Sequence, residues 1–176
     1  CGKAIPGLEV IIASEDGTEV SRAETGEIWV RRYGVMLGYL DDPEATAETI
    51  DSDGWLHTGD VGEMDENGYV RITDRKKDMY ISGGFNCYPA EIEKLLSNNT
   101  AVEMVAVIGV PDDRLGEVGM AFIVARPQSK IDAIQLTQWS RENMANYKVP
   151  KKINFVDSLP LNASGKVMKN NLRNLT

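Results

Sequence analysis

The 176-residue sequence is poor in the residues that build metal centres and disulfide frameworks. It has one histidine and two cysteines, Cys1 and Cys87. Two cysteines this far apart form neither a zinc spacing nor a disulfide ladder, and reduced thiols in a cytoplasmic protein are the simplest reading. His57 has no sequence neighbour that would make it a general base, so it reads as a structural hydrogen-bonding side chain. No apolar run approaches a membrane span, and no signal peptide is legible. Basic residues are outnumbered, with 19 Lys and Arg against 27 Asp and Glu, for a net charge of −8. No basic block stands out, so no nucleic-acid partner is expected. Internal repeats and low-complexity segments are also missing.

The hydrophobic content is ordinary for a globular protein, and the length suits one medium domain or two small ones. The first half reads as short strands and turns. Leu8 to Ala13 is an apolar, β-rich run, and Glu15-Asp16-Gly17-Thr18 is a hairpin turn. Glu27 to Arg31 alternates polar and apolar side chains, as a half-buried strand does. Asp41-Asp42-Pro43 predicts a helix through about Thr49, with an acidic cap and a proline in the first turn. Val61–Met64 and Tyr69–Thr73 read as strands joined around Asn67-Gly68.

The second half alternates strands and amphipathic helices. Pro89 to Ser97 places Ile92, Leu95 and Leu96 on one helical face. Val102–Val110 and Met120–Ala125 read as apolar strands bounded by Pro111 and Pro127. Ile131 to Met144 is predicted helical, though its apolar residues are only loosely periodic. Ile153–Val156 reads as a strand, and the tail as a loop followed by a short helix. This order predicts an α+β unit of about 100 residues, a normal domain size.

Between the halves lies a stretch from Asp74 to Glu91. It opens on Asp74-Arg75-Lys76-Lys77-Asp78, dips into Met79-Tyr80-Ile81, turns at Ser82-Gly83-Gly84-Phe85-Asn86, and starts a helix at Tyr88-Pro89-Ala90-Glu91. Paired glycines allow positive φ or let a ligand lie against bare backbone. Upstream stands His57-Thr58-Gly59-Asp60, and downstream Pro160-Leu161-Asn162-Ala163-Ser164-Gly165-Lys166. Taken singly, each has a plain alternative: Asp60 a turn residue, Arg75 and Lys77 solvated charges, the glycines a bend, Lys166 a mobile surface lysine.

Taken together and in this order, the three motifs resemble those of the adenylate-forming enzymes. That superfamily includes acyl-CoA synthetases, peptide-synthetase adenylation domains and firefly luciferase. The wording is most similar to the acyl-CoA synthetases and aryl-CoA ligases. The opening Gly2-Lys3-Ala4-Ile5-Pro6-Gly7 resembles a phrase found well inside such enzymes, so a C-terminal portion of a longer enzyme is expected. The resemblance implies an α+β architecture: the β-rich end of a large N-terminal domain over 1–76, then a small C-terminal lid domain, with a mixed sheet and helices, over 77–176.

It also implies roles for individual residues. Asp60 and Arg75 would hold the ribose of ATP: a carboxylate accepts both hydroxyl hydrogens of a diol, and a guanidinium donates in a fixed fork. Lys77 would be the hinge of a domain rotation. Gly83 and Gly84, flanked by Phe85, would line the tunnel for the pantetheine arm of coenzyme A. Lys166 would be the catalytic lysine, offsetting the repulsion between a carboxylate and the α-phosphate. No residue is assigned to a metal. The implied reaction joins a carboxylic acid to coenzyme A through acyl-AMP, using ATP with Mg²⁺. A fatty acyl-AMP ligase loading a carrier protein, or a non-catalytic binding module that kept the fold, are the alternatives. The acid and the oligomeric state are not legible.

Overall fold

The computed structural model describes residues 2–174. Cys1, read above as a reduced thiol, lies outside them. The chain divides into two compact units, 1–77 and 78–176.

In the first unit, β1 (Leu8–Ala13), β2 (Gly26–Arg32), α1 (Pro43–Thr49), β3 (Leu56–Met64) and β4 (Val70–Arg75) follow one another. The four strands form an antiparallel sheet in sequence order. Its core is small: Ile12, Ile28 and Met64, with Val10, Val20, Val30 and Val70 against them. Helix α1 buries none of its side chains. It is set by its cap, the Asp42 carboxylate accepting the Ala45 N–H at 2.9 Å, with Pro43 in the first turn. The turn at Asp16-Gly17 forms, but the chain after it makes only a single bridge back, Glu19 to Ala13. The full partner of β1 is β2. The β3–β4 connection is organised by Asp65, whose carboxylate accepts the N–H groups of Asn67 and Tyr69 at 2.9 and 2.8 Å. Gly68 there takes φ +80°.

The second unit contains β5 (Tyr80–Ser82), β6 (Phe85–Cys87), α2 (Pro89–Leu96), β7 (Val102–Asp112), β8 (Gly116–Ala125), α3 (Ala133–Asn143), β9 (Lys152–Phe155) and α4 (Lys169–Arg173). The sheet is mixed: β6, β5, β8 and β7 are antiparallel neighbours, and β9 runs parallel to β8. The β7–β8 hairpin is longer than its apolar runs. Strand β7 continues through Pro111, and β8 begins at Gly116 rather than Met120. Pro111 is tolerated because β7 is an edge strand, where a missing N–H costs no ladder bond. Helix α3 is shorter than expected. Asp132 and Gln135 form a capping box that starts it, and Ile131 and Met144 fall outside it while still packing on the core. Ile134 is 80% exposed, which accounts for the loose periodicity.

Alternate residues of β7 and β8 face two cores. Val107, Ala121 and Ile123 lie with Tyr80, Cys87, Ile92, Leu96 and Leu136, beneath α2 and α3. Ala106, Ile108, Val118 and Phe122 lie with Leu159 and Leu172, beneath α4 and the segment before it. Tyr80 is buried and lies across a window of two glycines, Gly109 and Gly119, which pair in register. A Cβ on Gly109 would stand 2.4 Å from Tyr80 Cβ, close to backbone that cannot swing aside. Gly109→Ala is therefore expected to lower the stability of the second unit by about 1–3 kcal/mol, the usual effect of overpacking. Hydrogen exchange of its buried amides measures this, and unchanged protection would show that Tyr80 repacks freely.

Candidate functional site

The first cluster is built on irregular pairing. Trp29 faces His57 and Glu27 faces Val61, so Thr58, Gly59 and Asp60 together lie opposite Ile28. The next ladder slips as well, because Val61 faces Asp74 while Gly62 faces Ile72, leaving Thr73 as an extra residue. Bulges leave backbone groups without ladder partners and re-aim side chains. Here side chains supply the partners. The Thr58 hydroxyl donates to the Ile28 carbonyl at 2.7 Å, and the Gly59 N–H donates to Glu27 Oε1 at 3.0 Å. Gly59 takes φ +70°, a conformation that favours glycine. Glu27 is buried and also receives Lys76 Nζ at 2.8 Å. Burial pushes its carboxyl pKa up, but the Lys76 ammonium and the Gly59 N–H outweigh this and hold it below the usual range.

The bulge turns Asp60 toward its cross-strand partner Arg75, with Arg75 Nε 3.2 Å from Asp60 Oδ1. Arg75 is 58% and Asp60 27% exposed at the side chain. So open a pair stabilises a fold by only about 0–1 kcal/mol. Carboxylate acceptors here face guanidinium donors at an accessible strand end, an arrangement able to hydrogen-bond a polar ligand. Beside it, His57 stacks on Trp29 at 4.0 Å and 9° and lies 3.2 Å from Asp51 Oδ2 through Nε2. This arrangement gives His57 a structural job. Glu27, Thr58 and Asp51 were not singled out from sequence. Glu27 looked like the polar side of an alternating strand, and only the bulge makes it a buried acceptor.

Gly83 and Gly84 close the β5–β6 hairpin as a two-residue turn, with Ser82 paired to Phe85. Their φ values, +58° and +85°, are the pattern of a type I′ turn, which accounts for the glycine pair on conformation alone. Gly83 is held against the β7–β8 connection, its N–H donating to the Leu115 carbonyl at 2.9 Å. A Cβ on Gly84 would meet nothing within 4 Å, so that side of the turn is open. Phe85 is 56% exposed and stacks on Tyr147 at 4.7 Å. Lys148, next in sequence, pairs with Glu91 at 2.5 Å. Cys87 is fully buried below them, its Sγ 3.5 Å from the Tyr147 carbonyl, and burial pushes its thiol pKa up. It is a packing residue, not a nucleophile.

Lys166 sits on an exposed loop whose backbone is nonetheless fixed. One oxygen of Asn162 accepts the Ser164 N–H, the Ser164 hydroxyl and the Lys166 N–H at 3.0, 2.8 and 2.9 Å. The Asn162 N–H donates to the Lys166 carbonyl at 2.9 Å, Leu161 bridges Val167, and Gly165 takes φ +77°. The side chain is thus a flexible arm on a clasped base. Asn162 was missed in the sequence, although an Asn two residues before a Ser-Gly is an Asx-turn signal. Lys77 is the middle residue of a one-turn 3₁₀ helix, Lys76–Asp78. Among the described residues, no group of three His, Cys, Asp or Glu side chains gathers as a metal site. Nor, among the described residues, is any helix long and apolar enough to cross a membrane.

Asn162→Ala should loosen the clasp without unfolding the domain. Of the three hydrogen bonds it removes, loss of the one from the Lys166 N–H, about 0.5–1.5 kcal/mol, predicts exchange of that amide at least about 2- to 10-fold faster. An unchanged rate in the variant would show that the loop is held by other means.

Residues 91–166 match the AMP-binding enzyme C-terminal domain. The chain is 59% identical over 172 residues to the 3-[(3aS,4S,7aS)-7a-methyl-1,5-dioxo-octahydro-1H-inden-4-yl]propanoyl:CoA ligase of Rhodococcus jostii, covering 98% of this chain and 32% of that protein. It is 50% identical to a feruloyl-CoA synthase of an Amycolatopsis species, covering 94% and 33%. The crystal structure of ATP-bound MatB from Rhodopseudomonas palustris matches with a TM-score of 0.92 and 42% identity, over 99% of this chain and 35% of that one. The chain thus spans about a third of the length of these relatives. The chain thus carries, over residues 91–166, the C-terminal domain of AMP-binding enzymes, and along nearly its whole length it is similar to CoA ligases.

Proposed function

We propose that this chain is the C-terminal part of an AMP-forming acyl-CoA synthetase, which activates a carboxylic acid with ATP and passes the acyl group to coenzyme A. The observation that carries the reading is the Asp60–Arg75 pair, presented at a bulged strand end where it adds little to stability. The relatives' names, a CoA ligase and a feruloyl-CoA synthase, support coenzyme A as the acceptor. A cytoplasmic location, where ATP, coenzyme A and reduced thiols coexist, fits the same reading.

In the first half-reaction, the carboxylate oxygen of the acid attacks the α-phosphorus of ATP, and pyrophosphate leaves. Asp60 accepts the ribose hydroxyl hydrogens, and Arg75 donates to the ribose oxygens. Mg²⁺ accompanying ATP would offset the charge of the phosphates, and no residue of this chain is assigned to hold it. Nucleophile and target are both anionic, so a cation between them lowers the barrier by electrostatics alone. Lys166 supplies it from the clasped loop and transfers no proton. In the second half-reaction the coenzyme A thiolate attacks the acyl carbonyl, and AMP leaves. The open side of Gly84 admits the pantetheine arm close to backbone, with Phe85 as its wall. Rotation about Lys77 exchanges the two arrangements.

Lys166→Ala in the full-length enzyme is expected to reduce ATP–pyrophosphate exchange by at least about 10²–10³, the loss seen when one oriented charge-stabilising donor is removed. Thioester formation from supplied acyl-AMP should stay near the parent rate. Equal loss in both steps with the fold intact would remove Lys166 from adenylation. No loss in either would leave it a surface lysine.

A further inference from the structure

Helix α4 begins three residues after Lys166 and is too short to hold itself. It has five residues and no side-chain hydrogen bond at its N-cap, and an isolated helix of that length is unstable in water. Its place is therefore set by tertiary contacts. Leu172 is 1% exposed in the core shared with Leu159. At its far end Arg173 Nη2 lies 3.8 Å from Asp78 Oδ1. At its near end Lys169 Nζ lies 2.8 Å from Glu93 Oε1, with both side chains shielded at 17% and 21% exposure.

Glu93 belongs to α2, which packs on one face of the sheet, whereas α4 packs on the other. Their ion pair crosses the edge of β7. The same Glu93 oxygen accepts the Val107 N–H at 2.8 Å. Val107 is in the middle of β7, an edge strand, so this carboxylate also caps an otherwise open ladder group. One oxygen thus ties an edge strand, a helix on one face and the stem of the Lys166 loop on the other. A shielded, hydrogen-bonded pair fixes geometry better than an exposed one, because both side chains are held by their surroundings.

We propose that Glu93 and Lys169 are positioning residues for adenylation: their ion pair across the β7 edge holds the stem of the Lys166 loop, and so sets where the Lys166 ammonium reaches. This rests on the adenylation role proposed for Lys166. The pair touches no substrate and acts only through the loop. It therefore matters for the step that uses Lys166 and not for the step that does not. A misplacement of about 1 Å at a reacting centre costs on the order of 10²-fold.

The test uses the full-length enzyme carrying Lys169→Met, with Glu93→Gln as a second variant that keeps an acceptor for the Val107 N–H and loses the charge. Both should lower kcat for ATP–pyrophosphate exchange about 10- to 100-fold. KM for ATP and thioester formation from supplied acyl-AMP should remain near the parent values. Lys169→Arg, which preserves the charge, should recover most of the exchange rate. If Lys169→Met does not fold, Glu93→Gln carries the comparison. Exchange at the parent rate in folded variants, or equal loss of both half-reactions, would overturn the proposal. Lys166→Ala measured alongside separates the two readings. If it abolishes exchange while Lys169→Met does not, only the positioning role falls. If Lys166→Ala leaves exchange intact, the adenylation role falls and the positioning role with it.

Discussion

Strands β7 and β8 bury side chains on both faces, and the second unit is arranged by that fact. A two-sided apolar hairpin needs a cover on each side. Ile92, Leu96 and Leu136 provide one, from α2 and α3. Leu159 and Leu172 provide the other, from the segment that flanks Lys166. The catalytic loop candidate therefore leaves and re-enters the same core. Its exposed tip is short, its backbone is clasped by Asn162, and its stem is anchored by Leu172 and by the Glu93–Lys169 pair. A lysine that must reach a reacting centre and later withdraw suits such an arm: a mobile side chain on a base that does not wander.

The first unit meets a different constraint. Its sheet has a small core, and its functional candidates lie where the ladders slip. Glu27 compensates for the slip by accepting from Gly59, and Lys76 in turn keeps that buried carboxylate charged. Lys76 adjoins Arg75, so one support sits directly beside the pair it holds in place. The folded-state pKa of Glu27 lies below its ordinary value. Its contribution to stability is thus present above the ordinary carboxylate range and is lost as pH falls through the depressed value.

Most strands and helices were legible because their periodicity is set by burial. The amphipathic face of α2, the alternation in β2 and the acidic cap of α1 each state one local rule. Boundaries failed where tertiary pairing overrode composition. β8 starts at Gly116 because it pairs with Asp112 across a tight turn, although Gly116 to Gly119 carry little apolar signal. β3 begins at Leu56, so His57 to Asp60 form part of a strand instead of preceding one. Asp60, Arg75 and Lys166 are candidates through motif order alone, since no local rule marks an accessible charged residue as functional. Glu27, Asn162, Glu93 and Lys169 could not be singled out because each makes its contacts with a partner distant in sequence or through loop geometry. Gly83 and Gly84 are accounted for by a turn that requires positive φ, and the open side of Gly84 is what the proposed thiol path would use.

The central proposal is that one small domain serves two chemical steps by pivoting at Lys77, first with Lys166 and then with the Gly83-Gly84 turn. Lys77→Pro in the full-length enzyme tests it most directly, because proline fixes φ near −65° and removes a donor at the pivot itself. Pyrophosphate exchange and thioester formation are measured on the same preparation. Pivoting at Lys77 predicts that acyl-AMP still forms while transfer to coenzyme A fails. Overall turnover equal to the parent enzyme would contradict it.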